Sequence, residues 1–252
     1  MLEQIDSKLA RDLLDDLCPT QSFGIVEGFI EGAVYSDRVQ RPRAVLIATK
    51  SGTYTVHGEP GAHFVLGFSS FYMKKSKQRF TLFSPNIRWD TCFEKIQSKD
   101  TMKMSRVVYH LDHRDKLWDS LSLSIRTIDE HSIEKSPRFN ENYYVEHWGS
   151  VDAYKKYGIG YYVEDLQGEI LAECTFIFRS REKANIDIYT RECARGKGLA
   201  STLVLAFVKE CRKQNITPMW DCDEGNEASM QLAKRLGFSE VNRYHLYYRN
   251  SL

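Results

Sequence analysis

Apolar and polar positions alternate at two different periods along this chain, and the changes of period divide it into elements. From Leu2 to Leu17 the apolar residues Leu2, Ile5, Leu9, Leu13, Leu14 and Leu17 recur at helical spacing, which predicts a helix ended by Cys18-Pro19-Thr20. Strand-like runs follow at Phe29 to Tyr35, Ala44 to Thr49, Thr53 to His57 and Phe80 to Phe83, separated by the polar stretch Ser36 to Arg43, by Ser51-Gly52 and by Gly58-Glu59-Pro60-Gly61. A charged stretch from Glu94 to Lys103 leads out of this first unit. The second unit opens with a strand near Arg106 to Leu111, then helical patterns around Lys116 to Asp129 and Ser150 to Tyr157. Gly160 to Val163 and Glu169 to Phe178 form a hairpin signal, and Ala184 to Thr190 is a further strand. A long helix follows, with Leu199, Leu203, Phe207 and Cys211 four apart and cations at its end, before a final strand at Tyr244 to Tyr248.

The turn before that long helix carries the chemistry. Arg195-Gly196-Lys197-Gly198-Leu199-Ala200 sits between a strand and a helix N-terminus, where free backbone N–H groups and the helix dipole favour a phosphate. Glycine at 196 and 198 lets the backbone approach a ligand closely, and Arg195 and Lys197 add positive charge. By itself such a turn also fits an ordinary surface loop. Further on, Trp220 to Asp223 reads as a strand ending in an acidic turn. Asn226 is placed to cap the next helix and Gly237 to end it, ahead of Phe238.

Arg-x-x-Gly-x-Ala at 195–200, followed by Asn226-x-x-Ser229 and Leu236-Gly237-Phe238, resembles the GNAT superfamily of acyl-CoA N-acyltransferases. Motif-level resemblance covers about residues 184 to 240. Thr190-Arg191-Glu192 and Trp220-Asp221 are similar to a bacterial group of two-domain GNAT acetyltransferases. The resemblance implies an α/β class of α+β type. Residues 105–252 would form a GNAT fold with a central mixed, largely antiparallel sheet flanked by helices. Residues 1–104 would form an α/β lobe, read as a degenerate GNAT-like domain without a cofactor loop, that shapes the acceptor side.

The implied activity is acetyl transfer from acetyl-CoA to a primary amine of a small molecule, by direct attack in a ternary complex. An acyl-CoA-binding sensor without efficient turnover and a protein or peptide N-acetyltransferase are the alternatives. Family positions put the pantetheine on Ile188, Tyr189 and Thr190, with a backbone N–H of this strand as oxyanion donor. Arg195, Gly196, Lys197, Gly198, Leu199, Ala200 and Ser201 take the pyrophosphate, and Asn226 and Ser229 face the cofactor arm.

For the base, strand alternation sets Asp187 with Tyr189 on one face and Ile186 with Ile188 on the other, and a mid-strand carboxylate is costly unless paired or used. Asp187 is therefore the candidate, against a plain surface acid; Glu192, Asp221, Asp223, Glu224 and water compete for the role. Ala233 stands where many family members carry a tyrosine that protonates the leaving thiolate. Tyr189, Tyr244 and Tyr247 are the possible replacements, or the thiolate leaves unaided, since a thiol pKa near 8.5 makes it a tolerable leaving group.

Composition narrows the setting. The 252 residues carry a net charge of +1, so no basic field argues for nucleic acid or an anionic membrane. The short basic run Lys74 to Arg79 reads as a solvated turn. An acidic N-terminus, no apolar stretch of spanning length and six scattered cysteines without metal-ligand spacing lead to the expectation of a cytoplasmic protein with reduced thiols and no metal. A homodimer is left open.

Overall fold

A computed structural model describes residues 1–112 and 124–249. Its strands are β1 (Glu3–Ile5), β2 (Gly32–Ser36), β3 (Ala44–Thr49), β4 (Thr53–Gly58), β5 (Phe80–Ser84), β6 (Met102–His110), β7 (Arg126–Thr127), β8 (Gly160–Glu164), β9 (Ile170–Arg179), β10 (Lys183–Thr190), β11 (Thr217–Asp223) and β12 (Ser239–Arg249). The α-helices are α1 (Thr20–Val26), α2 (Ala62–Lys74), α3 (Ile87–Glu94), α4 (Glu130–Lys135), α5 (Glu141–Trp148), α6 (Val151–Tyr157), α7 (Leu199–Lys213) and α8 (Glu227–Arg235).

All twelve strands join one mixed sheet in the order β1-β2-β3-β4-β5-β12-β6-β11-β10-β9-β8-β7. Only β4–β5 and β10–β11 run parallel among the described pairs, each joined by a crossover helix, α2 or α7. The order contains a repeat that the residue types conceal. The run β2-β3-β4-α2-β5-α3-β6 matches β8-β9-β10-α7-β11-α8-β12 element for element. The last strand of each run leaves its own half: β6 pairs with β11, and β12 pairs with β5. The two exchanged strands then pair with each other along Ser239–Tyr248 and Met102–His110. The expected division at 104/105 falls inside β6, in the middle of this exchange.

Burial follows the same crossing. One apolar cluster combines Phe23, Ile25 and Val45 of the first half with Trp148, Phe176, Phe207 and Trp220 of the second. The other packs Phe64, Phe68, Tyr72, Phe80, Trp89 and Phe93 around Tyr247 of β12. All six residues of β3 are buried, which suits its apolar run from Ala44 to Ala48.

Three sequence expectations are corrected. Leu2 to Leu17 is not one helix: Glu3–Ile5 pairs with β2, and a 3-10 helix, Ser7–Leu13, follows with Asp6 accepting from Lys8 N at 3.0 Å. Leu9 and Leu17 stay exposed, so the apolar spacing never becomes a continuous buried stripe. The strand expected from Phe29 starts later, at Gly32, because Phe29 N and Ile30 N both donate to Gly24 O in the turn after α1. The helical pattern expected at Lys116–Asp129 lies outside the described residues up to 123; beyond it the chain forms β7.

Candidate active site

The parallel pair β10–β11 holds register from Lys183↔Thr217 to Ile186↔Trp220 and then stops. From Asp187 to Thr190, β10 pairs only with β9, and from Asp221 to Asp223, β11 pairs only with β6. The two strands therefore part, and the outward N–H and C=O groups at 187–190 have no strand on that side. Such an open edge is a hydrogen-bonding site for an extended amide-bearing ligand.

The loop lies directly beyond. A 3-10 turn, Glu192–Ala194, leads to Arg195, Gly196, Lys197 and Gly198, all exposed. Gly196 and Gly198 have φ of +75° and +77°, the left-handed region where a side chain is strained. A Cβ at Gly196 would meet nothing within 4 Å, so the surface in front of it is open. The first helical bond of α7 runs from Thr202 N to Gly198 O at 3.1 Å, which leaves the N–H groups of Leu199, Ala200 and Ser201 ahead of it. Arg195 Nε donates to Thr190 O at 3.4 Å, while Lys197 is exposed in the turn. This donor set, with two cations and a helix N-terminus, fits a pyrophosphate.

On the other side of the opening, Asn226 Oδ1 accepts from Ser229 N at 3.0 Å and caps α8. Ser229 Oγ accepts from Trp220 Nε1 at 2.9 Å, so that hydroxyl also ties the helix to the end of the parallel pair. Ala233 is fully buried on the same helix.

A β-bulge precedes Ile186, yet the alternation beyond it holds. Phe176 meets Phe207 of α7 with ring centroids 4.8 Å apart, which puts Cys174 and its partner Ile188 on the α7 face. Asp187, opposite Thr175, and Tyr189, opposite Glu173, face the other way, toward α5. There Tyr143 OH donates to Asp187 Oδ2 at 2.8 Å, and Ile188 N donates to Oδ1 at 2.8 Å. Burial, and then the nearby Asp187 charge, push the Tyr143 phenol well above its ordinary pKa, so it stays a donor.

Asp221 is differently placed. Arg106 Nε donates to its Oδ1 at 2.8 Å, and Tyr244 OH donates to Oδ2. This pairing raises the Arg106 pKa despite its burial. Among the other competitors, Asp223 Oδ1 accepts from Gly225 N at 2.8 Å, Glu224 pairs with Arg243, and Glu192 is exposed. Tyr247 donates to Asp90 and Glu94 in the other apolar cluster, away from the loop.

A pocket of 130 Å³ joins these groups, with Asp187, Asp221 and Arg106 on its wall beside Gln21 of α1 and Phe83 of β5. Larger surface clefts of 500, 830 and 650 Å³ contain neither Asp187 nor any loop residue. Sequence reasoning overlooked Gln21, Arg106 and Tyr143, because nothing local marks a residue whose partner lies dozens of positions away. Glu173 was overlooked too: it is buried, it accepts from Ser136 Oγ at 2.5 Å, and burial pushes its carboxyl up to about 7. Its one signal was an acid inside an apolar strand, the same signal that marked Asp187. Among the described residues, no three or more His, Cys, Asp or Glu side chains gather to hold a metal ion, and no helix is long and apolar enough to cross a membrane.

The fold occurs in known proteins. An uncharacterized N-acetyltransferase of Bacillus subtilis (strain 168), YdfB, is 38% identical over 242 residues, covering 93% of this chain and 92% of its own. The crystal structure of a GCN5-related N-acetyltransferase-like protein from Streptococcus suis 89/1591 superposes with a TM-score of 0.75 at 19% identity, covering 97% of this chain and 98% of that one. A tandem GNAT protein from the clavulanic acid biosynthesis pathway superposes with a TM-score of 0.61 at 12% identity, over 100% of this chain and 99% of that one. The model of the GNAT acetyltransferase family matches residues 14–247, so the chain belongs to the GNAT acetyltransferases.

Proposed function

We propose that this acetyltransferase moves the acetyl group of acetyl-CoA onto a primary amine of a small molecule, by direct attack in a ternary complex. The observation that carries the reading is the parting of β10 and β11 beside the loop at 195–198. The free amides of Gly196 to Ser201, with Arg195 and Lys197, hold the pyrophosphate, and the open edge at Ile188, Tyr189 and Thr190 bonds the pantetheine amides. Asn226 and Ser229 line the facing helix end.

When bound, acetyl-CoA supplies a thioester: the amine nitrogen bonds its carbonyl carbon as the C–S bond breaks and the electron pair leaves on sulfur. Asp187 takes one proton from the ammonium before attack, and a second nitrogen proton ends on the thiolate. Tyr143 and the Ile188 N–H hold the Asp187 carboxylate in place while leaving each oxygen a further lone pair. A buried alanine at 233 supplies no acid, which is tolerable because thiolates leave at a pKa near 8.5. Of the three tyrosines considered as replacements, Tyr189 alone has no hydroxyl partner among Asp90, Glu94 and Asp221.

The test is acetyl-CoA consumption across a panel of amines and peptides, with products weighed by mass spectrometry. A small primary amine that gains one acetyl group is the expected result. CoA binding without turnover on any amine would favour a sensor, and acetylation of peptides alone would move the acceptor class.

A further inference from the structure

The pocket beside Asp187 is built by both halves of the chain, and its polar groups are unevenly satisfied. Gln21 belongs to α1, is 1% exposed and lines the pocket, and its Oε1 is buried without a hydrogen-bond partner among the described residues. A buried carbonyl left unpaired is unusual, because its desolvation is not offset. Across the pocket, Arg106 and Asp221 neutralise each other at 2.7 Å, so Asp187 carries the remaining charge of the wall. Phe83 and Phe178, with Pro19, Ile177 and Ile186, make up the apolar part. An unpaired acceptor, one net negative charge and an apolar surround together suit a ligand that offers several N–H donors and a positive charge on a short hydrocarbon stem. At 130 Å³ the space lies far below the roughly 300 Å³ where pockets for whole drug-sized ligands begin, so one arm of a substrate enters and the rest stays outside.

We infer that Gln21, contributed by the half without a cofactor loop, receives one N–H of the acceptor ammonium while Asp187 receives another, which selects an unbranched primary alkylammonium arm. This rests on the acetyltransferase reading above and names its acceptor class. The selection follows from donor count. A primary ammonium has three N–H groups, enough for both acceptors with one to spare, and the lone pair that attacks is freed when Asp187 takes its proton. A quaternary ammonium keeps the charge and loses every donor. An arylamine is uncharged at neutral pH and brings a ring broader than the stem that Phe83 and Phe178 flank. Arg106 and Asp221 act here as a fixed wall, and their pairing keeps the second carboxylate from competing for the cation.

The experiment titrates n-butylammonium, and then n-butyltrimethylammonium, into the full chain loaded with CoA. Calorimetry reads the affinity, and CoA affinity is measured separately. Binding of n-butylammonium, with the quaternary analogue weaker by about tenfold or more, is the result expected when two hydrogen bonds to a charged donor are lost. Gln21→Met keeps the chain length and removes the carbonyl. It should weaken n-butylammonium by about tenfold, leave CoA affinity unchanged and not lower the melting temperature, since an unpaired acceptor is removed. Equal affinity for the two ammonium ions, or wild-type affinity in folded Gln21→Met, would overturn the inference, as would no amine binding to protein that holds CoA. Failure of the wild-type chain to bind CoA at all would instead defeat the acetyltransferase reading, and this inference with it.

Discussion

The two halves of this protein share a plan and differ where chemistry would occur. In the second half the last parallel pair is Ile186↔Trp220 and the next residue is Asp187. In the first half the last pair is Thr55↔Phe83, and the next residue is Val56, which is fully buried. Residues 191–198 separate β10 from α7, with two left-handed glycines and three cations; residues 59–61, Glu-Pro-Gly, separate β4 from α2. At the end of β4 the space is taken by protein: Trp89 Nε1 donates to Gly58 O at 3.1 Å, and Trp89 itself is buried. Both halves keep an asparagine cap on the following helix, Asn86 on α3 and Asn226 on α8. The cap is thus common to both halves, whereas the Gly-x-Gly turn and the carboxylate after the last parallel pair belong to the second alone.

The largest expected effect concerns that carboxylate. Asp187→Asn should keep CoA binding and lower turnover by roughly two to four orders of magnitude, the usual worth of a positioned base. A small drop with wild-type pH dependence would pass the role to Glu173 or to water and weaken the contrast with Val56.

Stability against pH should separate the halves next. His57, buried in the first half between Cys18 Sγ at 3.2 Å and Ser22 Oγ at 2.9 Å, is pushed down to about 4 by burial from an ordinary 6.5. The unfolded chain therefore binds the extra proton, and this stabilisation, present above 6.5, is lost as pH falls through about 4. Glu173 in the second half is raised from 4.5 to about 7 by burial, so its contribution is present below 4.5 and is lost as pH rises through about 7. Each contribution is worth up to about 3 kcal/mol. The two windows overlap with opposite slopes and largely cancel, so denaturant titrations from pH 4 to 8 should show His57→Gln unmasking a fall in stability as pH rises, and Glu173→Gln unmasking a rise. The same pH profile in both variants would contradict the assignment of opposite slopes to the two groups.

A smaller effect is expected from Tyr143→Phe, which removes the hydrogen bond to Asp187 Oδ2. Turnover should fall by about tenfold with acetyl-CoA affinity unchanged, in line with a hydrogen bond to a charged group. Unchanged steady-state kinetics would show that Ile188 N alone positions the carboxylate.

Legibility in the sequence followed the range of the interactions. The loop, the cap at Asn226, the hairpin and the buried spacing of Leu199, Leu203, Phe207 and Cys211 are local patterns, and each stands where the residues placed it. Helix α2 was missed although Phe64, Phe68 and Tyr72 are buried four apart, because Gly67 and the aromatic residues around it are weak helix formers. Strand exchange was beyond reach, since pairing of β12 with β5 joins residues such as Arg249 and Phe80 that no local period relates. The same distance hid Gln21 and Arg106, whose meaning comes from residues 187 and 221.

The most direct test compares one substitution in each half. Gly198 has φ of +77° at the start of α7, and Gly61 precedes α2 with φ of −73° and open space around a Cβ. Gly198→Val and Gly61→Val are titrated with CoA by calorimetry, with folding checked by circular dichroism. One CoA per chain is expected in wild type and in Gly61→Val, and a loss of about a hundredfold or more in folded Gly198→Val, where strain of about 1–3 kcal/mol adds to blocked amides. Wild-type affinity in folded Gly198→Val, or loss in Gly61→Val instead, would contradict the assignment of the cofactor site to the second half.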